Sequence, residues 1–153
     1  MKKIWLAVLA ITVMVTFSLA QKIAMPMKQV QINSRTLEKQ PTTIDLTRKG
    51  TIYTLAAGVD YSRIQVRTAK GVMTMADLLK KTGKTVTGKL RVGVSSDMRA
   101  QKLNLGRGRS LNYNCSGLLC TCSGDVDCND MFTKESCDIS LCPDDGCWCL
   151  RLP

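Results

Sequence analysis

Histidine is absent from this 153-residue chain, and aromatic residues make up only 5% of it. Without an imidazole, neither a Ser-His-Asp triad nor a Cys-His pair can form. The only clusters of carboxylates lie among the cysteines near the end of the chain, and nothing around them predicts a raised pKa. No other catalytic constellation is recognisable, so we expect a protein that is not an enzyme.

Long apolar runs are also scarce, and only one approaches the length of a membrane span. It covers residues 4–17, follows Lys2 and Lys3, and precedes small residues at Ser18 and Ala20. This order predicts a bacterial type of signal peptide over residues 1–20, with an uncleaved anchor as the alternative. We therefore expect a periplasmic or secreted protein with no integral membrane segment after cleavage. The sequence leaves its oligomeric state open.

Cysteine, by contrast, is concentrated in one segment, and its number is even. An exported chain with an even cysteine count is expected to form disulfides, whose pairing the spacing alone does not reveal. The pattern C-x4-C-x-C occurs over residues 115–122 and again over 142–149, and one interpretation is two similar turns bridged to each other. The eight predicted half-cystines are Cys115, Cys120, Cys122, Cys128, Cys137, Cys142, Cys147 and Cys149.

Two other uses of the thiols compete with disulfides. Eight thiolates are enough for two tetrahedral zinc ions, but the oxidising compartment and the lack of a C-x2-C knuckle disfavour zinc. A redox dithiol at Cys120 and Cys122, or at Cys147 and Cys149, is disfavoured by the surrounding aspartates, because negative neighbours oppose thiolate formation. Structural disulfides are the preferred interpretation.

Charge divides the chain into two segments of opposite sign. Residues 21–110 carry 18 Lys and Arg against five acids, whereas residues 111–153 carry two basic residues against seven acids. Such a division concerns partners rather than fold. Three interpretations compete: the two segments dock on each other, the basic segment meets an anionic surface or polymer, or the charges are simply solvated.

Residues 106–110, Gly-Arg-Gly-Arg-Ser, separate the two segments and are typical of a flexible linker that trypsin-like proteases cut. The predicted organisation is a signal peptide (1–20), a basic β-rich α+β domain (21–105), this linker (106–110) and an acidic eight-cysteine module (111–153). The linker also suggests a second hypothesis: a precursor from which a cysteine-rich toxin or bacteriocin-like peptide is released near Arg109.

Alternating apolar residues predict half-buried antiparallel strands around residues 30–32, 42–48, 51–57, 63–68 and 90–94. One short helix is predicted between Thr74, a capping residue, and Gly83, a helix terminator. The fold class is therefore small α+β, with antiparallel strands and one short helix, followed by a disulfide-rich, loop-dominated C-terminal module.

The acidic stretch around Cys128 has a partial likeness to a calcium loop. Asp125, Asp127 and Asn129 alternate as calcium ligands do, but Asp130 replaces the required glycine. A weak calcium site is thus an alternative to an acidic turn. No other cofactor is expected.

The preferred function is that of an exported, non-enzymatic binding protein whose partner is an anionic surface or polymer, or another protein. In the C-terminal module, Trp148, Phe132 and Leu118-Leu119 either present a recognition surface or, as we prefer, form a small core. The residues predicted to contact an anionic partner are Arg63, Arg67, Lys70, Lys80, Lys81, Lys84, Lys89 and Arg91.

Overall fold

The computed structural model of the chain describes residues 26–101, 105 and 113–153. The predicted signal peptide (1–20) and linker (106–110) lie outside the described residues. Within the described ranges no helix is long and apolar enough to cross a membrane.

The described residues form ten strands and four α-helices. The strands are β1 (Lys28–Ile32), β2 (Thr42–Asp45), β3 (Thr51–Leu55), β4 (Ile64–Thr68), β5 (Gly71–Thr74), β6 (Leu90–Gly93), β7 (Asn114–Ser116), β8 (Leu119–Cys122), β9 (Ile139–Cys142) and β10 (Cys147–Leu150). The helices are α1 (Ser34–Lys39), α2 (Met75–Thr82), α3 (Ser95–Ala100) and α4 (Asp125–Lys134), and a short 3-10 helix covers Tyr61–Arg63.

The strands build two sheets. The larger has the order β1-β3-β6-β9-β10-β8-β7, and the smaller has the order β2-β4-β5. The prediction of antiparallel strands is wrong for two pairs, since β1 and β3 are parallel, and so are β2 and β4. In each pair a strand of the other sheet lies between the partners in sequence, which provides the long connection that parallel strands require.

The predicted helix is confirmed as α2. Thr74 caps it by accepting a hydrogen bond from the Asp77 backbone N–H at 3.1 Å. Gly83 ends it with a φ of 61°, in the left-handed region that glycine adopts without strain. Met75, Leu78 and Leu79 turn towards the core, as their spacing predicts.

The α+β class with a disulfide-rich C-terminal region is confirmed, but three helices were not predicted and the C-terminal region is not loop-dominated. The helices α1 and α3 have six residues each, too few for a clear hydrophobic period. The longer α4 has no side-chain cap at Gly124 and begins with aspartates, which resemble turn residues. Four of the ten strands also lie after residue 113.

The basic and cysteine-rich segments share one sheet and one core. Strand β6 pairs with β9 through Arg91 opposite Cys142, Val92 opposite Leu141 and Gly93 opposite Ser140. The larger hydrophobic cluster takes buried residues from both segments: Ile44, Ile64, Leu78 and Leu90 from the first, and Ile139, Leu141, Trp148 and Leu150 from the second. The domain boundaries remain predictions, but the sheet and the core cross them.

A second cluster is rich in sulfur. Ile52 of β3 and Met98 of α3 pack there with Met131 and Phe132 of α4 and with five half-cystines: Cys120, Cys128, Cys142, Cys147 and Cys149. Polarisable sulfur side chains fill irregular space where few aromatic residues are present.

Candidate functional site

All eight cysteines are paired, which confirms the predicted disulfides. The bridge Cys115–Cys120 closes the β7–β8 hairpin, and Cys142–Cys147 closes the β9–β10 hairpin. The two C-x4-C-x-C segments are therefore similar, and in each the first two cysteines are bridged to each other. The interpretation in which they are bridged to each other is wrong, because both adopt a hairpin that brings its own cysteines together.

The other two bridges hold helix α4. Cys122–Cys128 joins the end of β8 to the first half of the helix, and Cys137–Cys149 joins the segment after the helix to β10. The helix is thus tied at both ends to adjacent strands of the larger sheet.

The Cys122–Cys128 bridge lies beside the Cys142–Cys147 bridge. The Sγ atoms of Cys122, Cys128 and Cys147 all lie within 4.8 Å of one another. Zinc coordination and dithiol chemistry both need thiolates, whereas these sulfur atoms are covalently paired. The arrangement therefore supports a structural role for the cysteines.

The proposed calcium ligands Asp125, Asp127, Asn129 and Asp130 all lie on α4 rather than in a loop. Because residues two apart point to different sides of a helix, their alternation does not gather the oxygen atoms as a calcium loop does. Asp125 instead accepts the Leu105 backbone N–H at 2.8 Å, and Asp130 pairs with Lys134 at 2.8 Å.

Asp127 is the exception among these acids, since only 2% of it is exposed. In the described part of the chain neither of its carboxylate oxygens has a hydrogen-bond partner. It sits in the first turn of α4, where the helix dipole stabilises negative charge.

The eight basic residues predicted to bind an anionic partner are spread over the first segment. Seven are exposed and Arg91 is half-buried. Arg63 lies in the 3-10 helix, Arg67 on β4, Lys70 between β4 and β5, Lys80 and Lys81 on α2, Lys84 just after α2, Lys89 before β6, and Arg91 on β6.

Lys70 is engaged within the protein. Its Nζ lies 3.1 Å from Asp138 Oδ2 and donates a hydrogen bond to the Leu152 carbonyl oxygen. Asp138 also accepts the Leu152 backbone N–H at 2.8 Å. Lys70 therefore fastens the basic segment to the end of the cysteine-rich one. The sequence predicted only that Lys70 contacts an anionic partner and did not indicate this role.

Two of the predicted residues meet in one groove. Lys80 and Lys84 line a groove of about 360 Å³, the Tyr61 groove, whose other lining residues are Tyr61, Ala76, Leu79, Gly83, Thr85 and Val86. Burial raises the pKa of the Tyr61 phenol, so its hydroxyl remains a hydrogen-bond donor to a higher pH than that of an exposed tyrosine. Lys80 lies 3.5 Å from Asp77, but both side chains are mostly exposed and such pairs are weak.

Lys81, the neighbour of Lys80, lines a different groove. That groove, the Leu118 groove, has a volume of about 460 Å³ and is lined by Lys81, Ser116, Leu118, Leu119, Leu150, Arg151, Leu152 and Pro153. The sequence did not predict it, because its walls come from both segments.

The aromatic residues of the C-terminal module belong to the core. Trp148 is 9% exposed and Phe132 is 5% exposed. This burial agrees with the preferred interpretation, in which these side chains form a core rather than a recognition surface. Leu118 alone among the named residues stands out, with 50% of its surface exposed.

No family model, no curated protein and no solved structure matches the chain. Its function is therefore inferred from the geometry and charge of its own residues.

Proposed function

We propose that this is an exported, non-enzymatic binding protein that holds an anionic polymer at the Tyr61 groove. The observation that carries the proposal is the convergence of Lys80, Lys84 and a half-buried tyrosine on one concave surface. Concave sites with an apolar lining and a few placed polar groups are the usual form of a ligand site.

The groove combines two kinds of contact. The ammonium groups of Lys80 and Lys84 attract anionic groups, and the Tyr61 hydroxyl is a hydrogen-bond donor. Ala76, Leu79 and Val86 supply apolar surface for the rings or methylene groups between the charges. Lysine ammonium groups bind phosphate and sulfate as mobile point charges, which suits a repeating polymer better than one rigid ligand.

A polymer is favoured because the positive charge extends beyond the groove. Arg63 is exposed and lies in the same 3-10 helix as Tyr61, and this helix packs against α2. Basic residues outnumber acids by thirteen over residues 21–110. A long polyanion can use this charge, and its binding should weaken strongly as salt rises.

Export is part of the proposal. The predicted signal peptide over residues 1–20 and the four disulfides support an extracytoplasmic protein, periplasmic or secreted.

The test is the affinity of the oxidised protein for heparin and for polyphosphate, two polymers that share high charge density and little else. Replacing Lys80 and Lys84 together by Gln should weaken both affinities roughly tenfold, since each exposed charge contributes up to about 1 kcal/mol. The matched control replaces Lys28 and Lys49, exposed lysines that line neither groove, and should have a much smaller effect. Equal losses in the two double variants would contradict a defined site, and no binding of either polymer would contradict the function.

A further inference from the structure

The Leu118 groove lies where the two charged segments meet. Lys81 comes from α2 in the basic segment, and every other lining residue comes from the cysteine-rich segment. Its lining is mainly aliphatic: Leu118, Leu119, Leu150, Leu152 and Pro153. Its volume of about 460 Å³ lies within the usual range for small-molecule sites.

The floor of the groove is held in place by contacts within the protein. Leu150 and Leu152 are 2% and 4% exposed. The Arg151 backbone N–H donates to the Leu118 carbonyl oxygen at 2.8 Å, and the Leu152 backbone is held by Asp138 and Lys70. The groove therefore exists before any ligand enters, which lowers the ordering cost of binding.

Among the side chains that line the groove, one positive charge has no acidic partner. Arg151 Nη1 lies 3.5 Å from Glu135 Oε2, so these two charges offset each other. Lys81 is exposed, and among the described residues no acid lies within 4.0 Å of its ammonium group. A ligand that complements this arrangement carries a single negative charge beside an apolar body.

We propose that the Leu118 groove binds the monomer of a long-chain carboxylate, with its head at Lys81 and its alkyl chain along Leu118, Leu119 and Pro153. Leu118, which is half exposed on a tight turn, is covered by the chain in this complex. A polyanion is excluded from the same position, because further charges placed on an aliphatic surface lose hydration without gaining a partner. This binding is independent of the Tyr61 groove, which Lys81 does not line.

The experiment measures calorimetric binding of dodecanoate, kept below its micelle concentration, to the full oxidised protein. Lys81→Gln should weaken binding about fivefold, the effect of losing one exposed ion pair. Leu118→Ser should weaken binding by a similar factor, because it removes apolar side-chain surface that the alkyl chain covers in the complex.

Lys80→Gln is the matched control, since it removes the same charge from the adjacent residue, which lines the other groove. It should leave dodecanoate affinity within about twofold of the unchanged protein. Dodecyltrimethylammonium, which has the same chain and the opposite charge, should bind much more weakly. The proposal is overturned if dodecanoate monomers do not bind, if only micelles or vesicles bind, if both amphiphiles bind equally, or if Lys80→Gln acts like Lys81→Gln.

Discussion

The two segments of this protein contribute to the same sheet but are stabilised differently. The segment before residue 101 holds its strands with buried aliphatic residues such as Ile44, Ile64 and Leu78, and it contains no cysteine. The segment after residue 113 has four disulfides within 35 residues and a core in which half-cystines are prominent.

This difference follows from how much apolar surface each segment can bury. A short acidic segment with few large side chains cannot offset the entropy of its own ordering, so covalent links restrict its unfolded state instead. Once ordered, it supplies β9, which lies directly beside β6 of the other segment. The cysteine-rich segment is therefore stabilised by its disulfides, and once ordered it supplies strands and buried residues to the sheet and core of the basic segment.

The largest expected effect is that of reducing all four disulfides. Each bridge stabilises by about 2–3 kcal/mol at these loop lengths, so their joint loss rivals the whole stability of a small domain. Residues 113–153 should unfold, and β6 should lose protection in hydrogen exchange because β9 no longer covers it. Full protection of β6 after reduction would show that the basic segment is independent.

Leu141→Ala should destabilise both segments together. Leu141 is fully buried on β9 opposite Val92 of β6, and truncating a buried leucine costs about 2–5 kcal/mol. Chemical denaturation should show a single transition shifted to lower denaturant in probes of either segment. Val72→Ala, at a valine that is 55% exposed, is the control and should change little. Two separate transitions would mean that the shared sheet does not couple the segments.

Lys70→Gln removes the ion pair between the segments and should cost about 1 kcal/mol. The effect should depend on Asp138, so that Lys70→Gln adds little in an Asp138→Asn background. Lys134→Gln removes a comparable Lys–Asp pair that lies within α4 and should cost about 0.5 kcal/mol or less. Equal costs for the two lysines, with no coupling to Asp138, would argue against a fastening role.

The smallest expected effect is that of a single cut within residues 102–112. Trypsin should cleave there, yet the two fragments should elute together, because the β6–β9 pairs and the common core remain. Size-exclusion chromatography of the nicked protein, with and without denaturant, measures this. Spontaneous separation of the fragments under native conditions would favour the alternative hypothesis of a precursor that releases its cysteine-rich peptide.

The elements predicted best are those with a strong local signal. Alternating residues around Val66 and Val92 became β4 and β6, and Thr74 with Gly83 delimited α2. Helix α4 was missed because its aspartates also suit a turn, and its burial depends on contacts with α3 and the neighbouring bridges. The calcium interpretation drew on the same aspartates and stays a prediction, although they lie on a helix rather than in a loop.

Among the basic residues, the sequence pattern could not rank one lysine above another. Lys70, Lys80 and Lys81 are all exposed, yet the first fastens two segments and the others line separate grooves. These roles depend on residues distant in sequence, namely Asp138, Tyr61 and Leu118.

By itself the sequence determined the α+β class, the absence of histidine chemistry, the division of charge and the presence of disulfides, because composition and short-range periodicity carry that information. Only the tertiary structure decided which cysteines pair, that two strand pairs are parallel, that β6 and β9 join the segments, and where the grooves lie. Those features arise from contacts between residues far apart in the chain, and such contacts are selected by the burial of the whole core rather than by any local pattern.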